Sequence, residues 1–221
     1  EYFIKYDDSL PKKVKDYIGY RDGNITGQIP KVTGKIGFSA AKINPNELNY
    51  ITVDSVETSN TKNYSLSFWI KTENYPTSAY TILRKRDSKN QYQVNLLPSG
   101  AIRFNLWGNS YHFIDSSPLN NDWNNIIIVV NNTIKKTLIY KNGILESNSS
   151  FNFEPWYGID KLIIGDKYNQ SSTEILLDDI RIYNNKILDS NTINKILNPS
   201  ELETENDNPI HYENFSKTEY R

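Results

Sequence analysis

Asp178 and Asp179, adjacent in the run 175–183, are the first place to look for acid–base or metal chemistry in this chain. In an unbroken strand Asp178 shares parity with Leu176, Ile180 and Ile182, which aims it at an apolar layer, and Asp179 takes the opposite, solvated side. A carboxylate facing an apolar layer has to be hydrogen-bonded, paired or metal-bound. Oxygen ligands from the loop near Asp22 and Asn24 would complete a structural calcium site at Asp178. Satisfaction by backbone N–H groups or a cation is the favoured reading. Catalysis has less support. Glycoside cleavage needs two acidic groups flanking one bond, no Glu-x-Asp-x-x-Glu pattern occurs, and Asp178 and Asp179 point apart. The only histidines, His112 and His211, lie far apart in sequence. No Gly-x-Ser-x-Gly elbow supports a nucleophile. The expectation is a protein without catalytic machinery or cofactor, structural calcium aside.

Binding chemistry is better represented. Trp69, Trp107, Tyr111, Trp156 and Tyr157 are aromatics whose faces suit the apolar side of a sugar ring. Trp107 is the best placed, because it is out of phase with Ile102, Phe104 and Leu106 and precedes a Gly-Asn turn. A second packed layer over that face is the competing reading. Arg84-Lys85-Arg86, with Lys12, Lys13 and Lys15, offers charge for sulfated, sialylated or phosphorylated head groups, although charge runs in loops are usually only solvated. The candidate ligand-binding residues are therefore Trp107, Tyr111, Arg84, Lys85 and Arg86.

These side chains hang on strands. Residues 126–130 are a continuous β-branched run that suits a buried strand, residues 134–141 alternate, and Asn142-Gly143 tolerates the positive φ of a tight hairpin turn. Leu66, Phe68 and Ile70 face one way, with Ser65, Ser67, Trp69 and Lys71 opposite, as on a half-buried strand. Residues 80–83 continue the pattern, Tyr92, Val94 and Leu96 likewise oppose Gln91, Gln93 and Asn95, and 92–96, 102–107 and 111–114 form a three-strand meander. Tyr2-Phe3-Ile4 is a plausible edge strand. One short helix is expected, with Ser190 as its N-cap, Ile193, Ile196 and Leu197 on one face, and Asn198-Pro199 as its stop.

The chain has 221 residues, a net charge of −1 and no cysteine. That excludes disulfides and thiolate chemistry, and it lacks the basic excess on which non-specific nucleic-acid affinity depends. A secreted, extracellular bacterial origin fits a domain of this size that reaches stability without disulfides. The start at Glu1 reads as a piece of something longer. Residues 1–200 are read as one domain and 201–221 as a linker or extended segment leading to a further domain.

The order of motifs then carries a resemblance. Val32-Thr33-Gly34-Lys35-Ile36-Gly37, Ser67-Phe68-Trp69-Ile70, Trp123 before an apolar strand, the strand 138–141 ending at Asn142-Gly143, and Leu177-Asp178-Asp179-Ile180-Arg181-Ile182-Tyr183 together resemble the laminin-G-like, concanavalin-A-like jelly roll. With Asn208-Pro209-Ile210-His211-Tyr212, the chain is similar to the N-terminal half of the receptor-binding region of clostridial neurotoxins and of their non-toxic non-haemagglutinin partner. The resemblance implies an all-β antiparallel jelly-roll sandwich with one short C-terminal helix. It also implies a lectin-like, non-catalytic domain acting in receptor or membrane-surface binding or in complex assembly. In those toxins the ganglioside pocket belongs to a trefoil that would follow Arg221. The implied partners are a glycan, a lipid head group or a partner protein, together with adjacent domains of the parent chain and no nucleic acid. A free-standing carbohydrate-binding module of an exported adhesin or glycosidase is the alternative.

Overall fold

The β-branched run starting at Ile126 forms the spine of one sheet, and every residue of it is buried. The computed structural model describes residues 13–14, 22–36, 40–44, 49–57, 62–86, 89–165 and 173–198, and the backbone of 211–213. In chain order the strands are β1 (Lys13–Val14), β2 (Gly23–Thr26), β3 (Lys31–Val32), β4 (Ala40–Ile43), β5 (Tyr50–Glu57), β6 (Tyr64–Lys71), β7 (Tyr80–Arg86) and β8 (Asn90–Leu96). They continue with β9 (Ala101–Trp107), β10 (Tyr111–Pro118), β11 (Asn124–Asn131), β12 (Lys136–Lys141), β13 (Ile144–Ser150), β14 (Ile159–Ile164) and β15 (Ile175–Asn184). The helix α1 (Ser190–Leu197) and the strand β16 (His211–Glu213) follow.

Two antiparallel sheets result. The first runs β1-β2-β5-β14-β7-β8-β9-β10, and the second runs β13-β12-β11-β6-β15-β4-β3 with β16 also paired to β15. The expected three-strand meander is β8 to β10, and β7 extends it to four strands adjacent in sequence and in space. The hairpin closes as expected, with Asn142 at φ 51° and Gly143 at φ 80°. Between the sheets, Leu66, Phe68 and Ile70 join Ile126, Ile128 and Val130 against Tyr92, Val94, Leu96, Ile102, Phe104 and Leu106 in one core. Tyr92 stacks between Tyr64 and Phe104 at 5.4 and 6.2 Å. Their burial pushes the Tyr64 and Tyr92 hydroxyls well above the ordinary tyrosine range.

The outer face of the second sheet is covered. Ile127, Val129 and Tyr183 pack there against Leu188, Ile193 and Ile196, so α1 lies on this face. Strand β6 is consequently buried on both sides from Tyr64 to Ile70 rather than half-buried. The helix cap is Asp189, one residue before the expected Ser190, and its carboxylate accepts the Thr192 N–H at 2.8 Å.

A β-bulge in β15 moves Asp178 off its expected side. Asp179 takes a left-handed φ of 51°, and the pairing with β6 slips between Asp178 and Arg181. Leu177 and Ile180 both face the core, so Asp178 goes to the outer side opposite Trp69. Asp179 is buried rather than solvated, held by the Arg181 guanidinium at 2.9 and 3.0 Å. The expected strand at Tyr2-Phe3-Ile4 and the stretch 201–208 lie outside the described residues. The backbone of 211–213 adds to the second sheet beside residues 180–182 of β15.

Candidate ligand-binding face

Strand register assembles a polar and aromatic surface on the outer side of the first sheet. Ile163, Arg84, Gln93, Asn105 and Phe113 stand in one row across β14, β7, β8, β9 and β10. Thr81, Asn95, Arg103 and Asp115 form the next row, and Trp107 stands opposite Tyr111. The intervening residues Val94, Phe104 and Leu106 are in the core, which obliges this set to face outward.

Hydrogen bonds hold the polar members in place. The Gln93 amide donates to Thr81 Oγ1 and to Asn95 Oδ1, each at 2.7 Å, and the Tyr111 hydroxyl donates to Asn105 Oδ1 at 2.5 Å. Arg103 and Asp115 make a two-bond pair at 2.8 and 2.7 Å, and the guanidinium lies 4.4 Å from the centre of the Phe113 ring. That pairing raises the Arg103 pKa, and partial burial raises that of the Tyr111 hydroxyl. The rings of Trp107, Tyr111 and Phe113 follow one another at 5.3 and 5.9 Å. Tyr111 and Phe113 each expose 48% of their surface. Ring faces beside fixed amides and a fixed ion pair suit a flat, hydroxyl-rich ligand.

A groove of about 410 Å³ adjoins this face, bordered among others by Lys62, Lys89, Gln91, Glu154, Trp156 and Tyr157. Its wall is clamped to the β9–β10 turn by the Gly108–Pro155 bridge and by a Trp156 N–H to Trp107 carbonyl bond of 2.9 Å. Only glycine permits that approach, since a Cβ at Gly108 would lie 2.0 Å from the Glu154 carbonyl oxygen. Lys62 sits 4.8 Å from the Tyr157 ring centre and bonds Glu154 at 2.8 Å, and Lys89 sits 5.1 Å from that of Trp156. Lys135 and Lys62 hold the Glu154 carboxyl down to about 2.

The structure thus brings Trp107 and Tyr111 together and splits the basic triplet. Arg84 belongs to the outer face beside Gln93, and Arg86 is exposed. Lys85 is a correction: it is fully buried, and its amine donates to the Gly158 carbonyl at 2.5 Å and to Gln91 Oε1 at 3.1 Å. Strand register in β7 sets Lys85 opposite the buried Tyr92, which makes it an internal tie instead of a surface cation. Lys12 and Lys15 lie outside the described residues, and Lys13 is exposed on β1. Trp69, expected among the sugar-stacking aromatics, is 5% exposed under the Lys35 amine and offers no free face. Phe113 was not among the residues expected from sequence, although its outward parity matches that of Tyr111.

The Asp178 carboxylate takes the second of its expected partners. Its Oδ2 accepts the N–H groups of Lys35 and Ile36 at 2.8 and 2.9 Å. Among the described residues its Oδ1 is buried with no hydrogen-bond partner, and desolvation raises the carboxyl to about 6. Asn24 lies on β2 of the other sheet, with Asp22 just before that strand. Among the described residues no group of three or more His, Cys, Asp or Glu side chains is arranged to hold a metal ion. Two backbone donors on the one carboxylate suit a hydrogen-bonded tie better than a cation site. His112 points between the sheets, 2.7 Å from the Thr137 hydroxyl, and burial lowers its pKa.

A laminin G family profile, described as the concanavalin A-like lectin/glucanases superfamily, matches residues 45–194. No curated protein matches the chain by sequence. Among solved structures, the binding domain of Paraclostridial Mosquitocidal Protein 1 superposes with a TM-score of 0.67 at 18% identity, covering 85% of this chain and 52% of that one. The binding domain of botulinum neurotoxin DC superposes at 0.67 in its complex with SialylT and at 0.69 in its complex with rat synaptotagmin II. Both share 18% identity over 85% of this chain and 51% of theirs. This chain therefore spans about half the length of these structures. The similarity read from the sequence to a jelly roll of the clostridial neurotoxin binding region holds at the level of fold.

Proposed function

The chain belongs to the concanavalin A-like lectin/glucanases superfamily, and on that premise we propose that it is a non-catalytic, glycan-binding jelly roll within a secreted clostridial toxin-type or toxin-complex protein. The observation that carries this reading is the Trp107, Tyr111 and Phe113 run beside the fixed amides of Gln93 and Asn105. It is an open aromatic platform on one sheet, whereas the outer face of the other sheet is closed by α1.

The partners of the similar binding domains, SialylT and rat synaptotagmin II, support a glycan or protein partner for this one. The aromatic and amide composition of the face favours the glycan. Arg84 borders the same face and supplies positive charge for its rim. Hydrolysis has weak support even though Glu154 and Asp160 both border the groove. A general acid needs a carboxyl held protonated near neutral pH, and Glu154 is held in the opposite direction.

The test is a glycan array probed with the purified chain and with Trp107→Ala and Tyr111→Ala. Selective binding by the parent protein, lost in both variants without a change in melting temperature, is the expected result. A silent array, or binding that survives both substitutions, overturns the assignment.

A further inference from the structure

Each aromatic wall of the groove beside Trp107 is capped by an ammonium group, and the two caps are held differently. Lys62 is fixed twice, over Tyr157 at 4.8 Å and on Glu154 at 2.8 Å. Lys89 lies over Trp156 at 5.1 Å, and among the described residues no carboxylate pairs with it. The floor between them is rigid: the Gln91 side chain, 2% exposed, accepts from the buried Lys85 amine and donates to Asp160.

A ligand ring that stacks on Trp156 has to lift Lys89 from it and forfeit a cation–π contact. A neutral sugar gives nothing in return. A sugar bearing a carboxylate or sulfate offers the displaced ammonium a charge-assisted hydrogen bond, which is stronger than a neutral one. The groove volume of about 410 Å³ falls within the range of small-molecule sites, roughly 300–1,000 Å³.

We propose that this groove is a subsite for an anionic sugar residue, stacked on Trp156 with its acid group on Lys89, at the end of a saccharide whose remainder lies on the Trp107 platform. This deepens the glycan-binding reading and rests on it. The Trp156 N–H to Trp107 carbonyl bond and the Gly108–Pro155 bridge make the platform and the groove one continuous surface. Glu154 does not oppose the acid group directly, because Lys62 and Lys135 both hold its carboxylate.

Calorimetric titration of the whole 221-residue chain with 3′-sialyllactose, a sulfated lactose and neutral lactose tests the inference. One or both acidic sugars are expected to bind about tenfold more tightly than lactose, and the one that does identifies carboxylate or sulfate as the group read. Lys89→Ala is expected to bring acidic and neutral sugars to the same affinity, and Lys89→Arg to keep the preference. Equal affinities on the parent protein, or a preference that survives Lys89→Ala, overturn the subsite. If in that case Trp107→Ala still abolishes binding, the platform stands without it. Absence of binding by every sugar overturns both.

Discussion

Asp178 stands at the point where local chemistry and stability meet. Burial pushes its carboxyl up to about 6, above the ordinary 3.8, because desolvation penalises the charge more than the backbone N–H donors relieve it. The folded protein therefore binds this proton more readily than the unfolded chain. The stabilisation is complete below the unfolded value near 4 and is lost as pH rises through about 6, a swing on the order of 3 kcal/mol. In Asp178→Asn the carboxamide oxygen still accepts from Lys35 and Ile36, and the swing disappears. Urea unfolding of both proteins at pH 4 and pH 7 is expected to show the parent gaining relative to the variant at the lower pH. Equal differences at the two values would show that the carboxyl is not desolvated. Gly108→Ala forces a methyl group into the Glu154 carbonyl, and a loss of about 1–3 kcal/mol is expected in the same assay. Sequence parity set Trp107 out of phase with Ile102, Phe104 and Leu106, and the structure keeps that alternation because β9 and β10 pair without a bulge from Trp107–Tyr111 to Arg103–Asp115. It failed at Asp178, because nothing in the alternation announces the left-handed Asp179.

At the scale of elements, the β15 bulge and the α1 cap decide what the second sheet presents. The bulge places Asp179 and Arg181 as a buried pair on the outer face. Asp179→Ala takes the carboxylate from a guanidinium that is 5% exposed, and a cost of about 3–5 kcal/mol is expected in denaturant unfolding. Asp189→Ala removes only the cap and should cost about 0.5–2 kcal/mol, read from the same midpoint shift. A smaller effect at Asp179 than at Asp189 would mean that the ion pair does not anchor this face. The strands were legible because alternation is strict wherever only one face meets the core, as in β8 and β9. The double burial of β6 was not, since it depends on what a distant helix and the Lys35 segment place over Ser65, Ser67 and Trp69. The exchange of Ser190 for Asp189 as cap is a one-residue ambiguity, as both types accept a helix N–H.

For the whole molecule, the sandwich gives its two outer faces different roles. One is closed by α1 and by the Lys35 segment, and the other presents Trp107, Tyr111 and Phe113. Composition and motif order were enough to anticipate this architecture, because a jelly roll is written in strand alternation and turns spread over the chain. The groove was beyond reach from sequence, since it depends on the Gly108–Pro155 contact joining segments more than 40 residues apart in the chain. The four tryptophans allow the central claim to be read directly. Two-dimensional NMR of the ¹⁵N-labelled indole groups is recorded while the protein is titrated with the oligosaccharide of strongest array signal. The account predicts that the Trp107 resonance shifts saturably, with Trp156 following for an acidic sugar, and that the buried Trp69 stays in place. A shift confined to Trp69 or Trp123, or no shift at Trp107 at saturation, would contradict it.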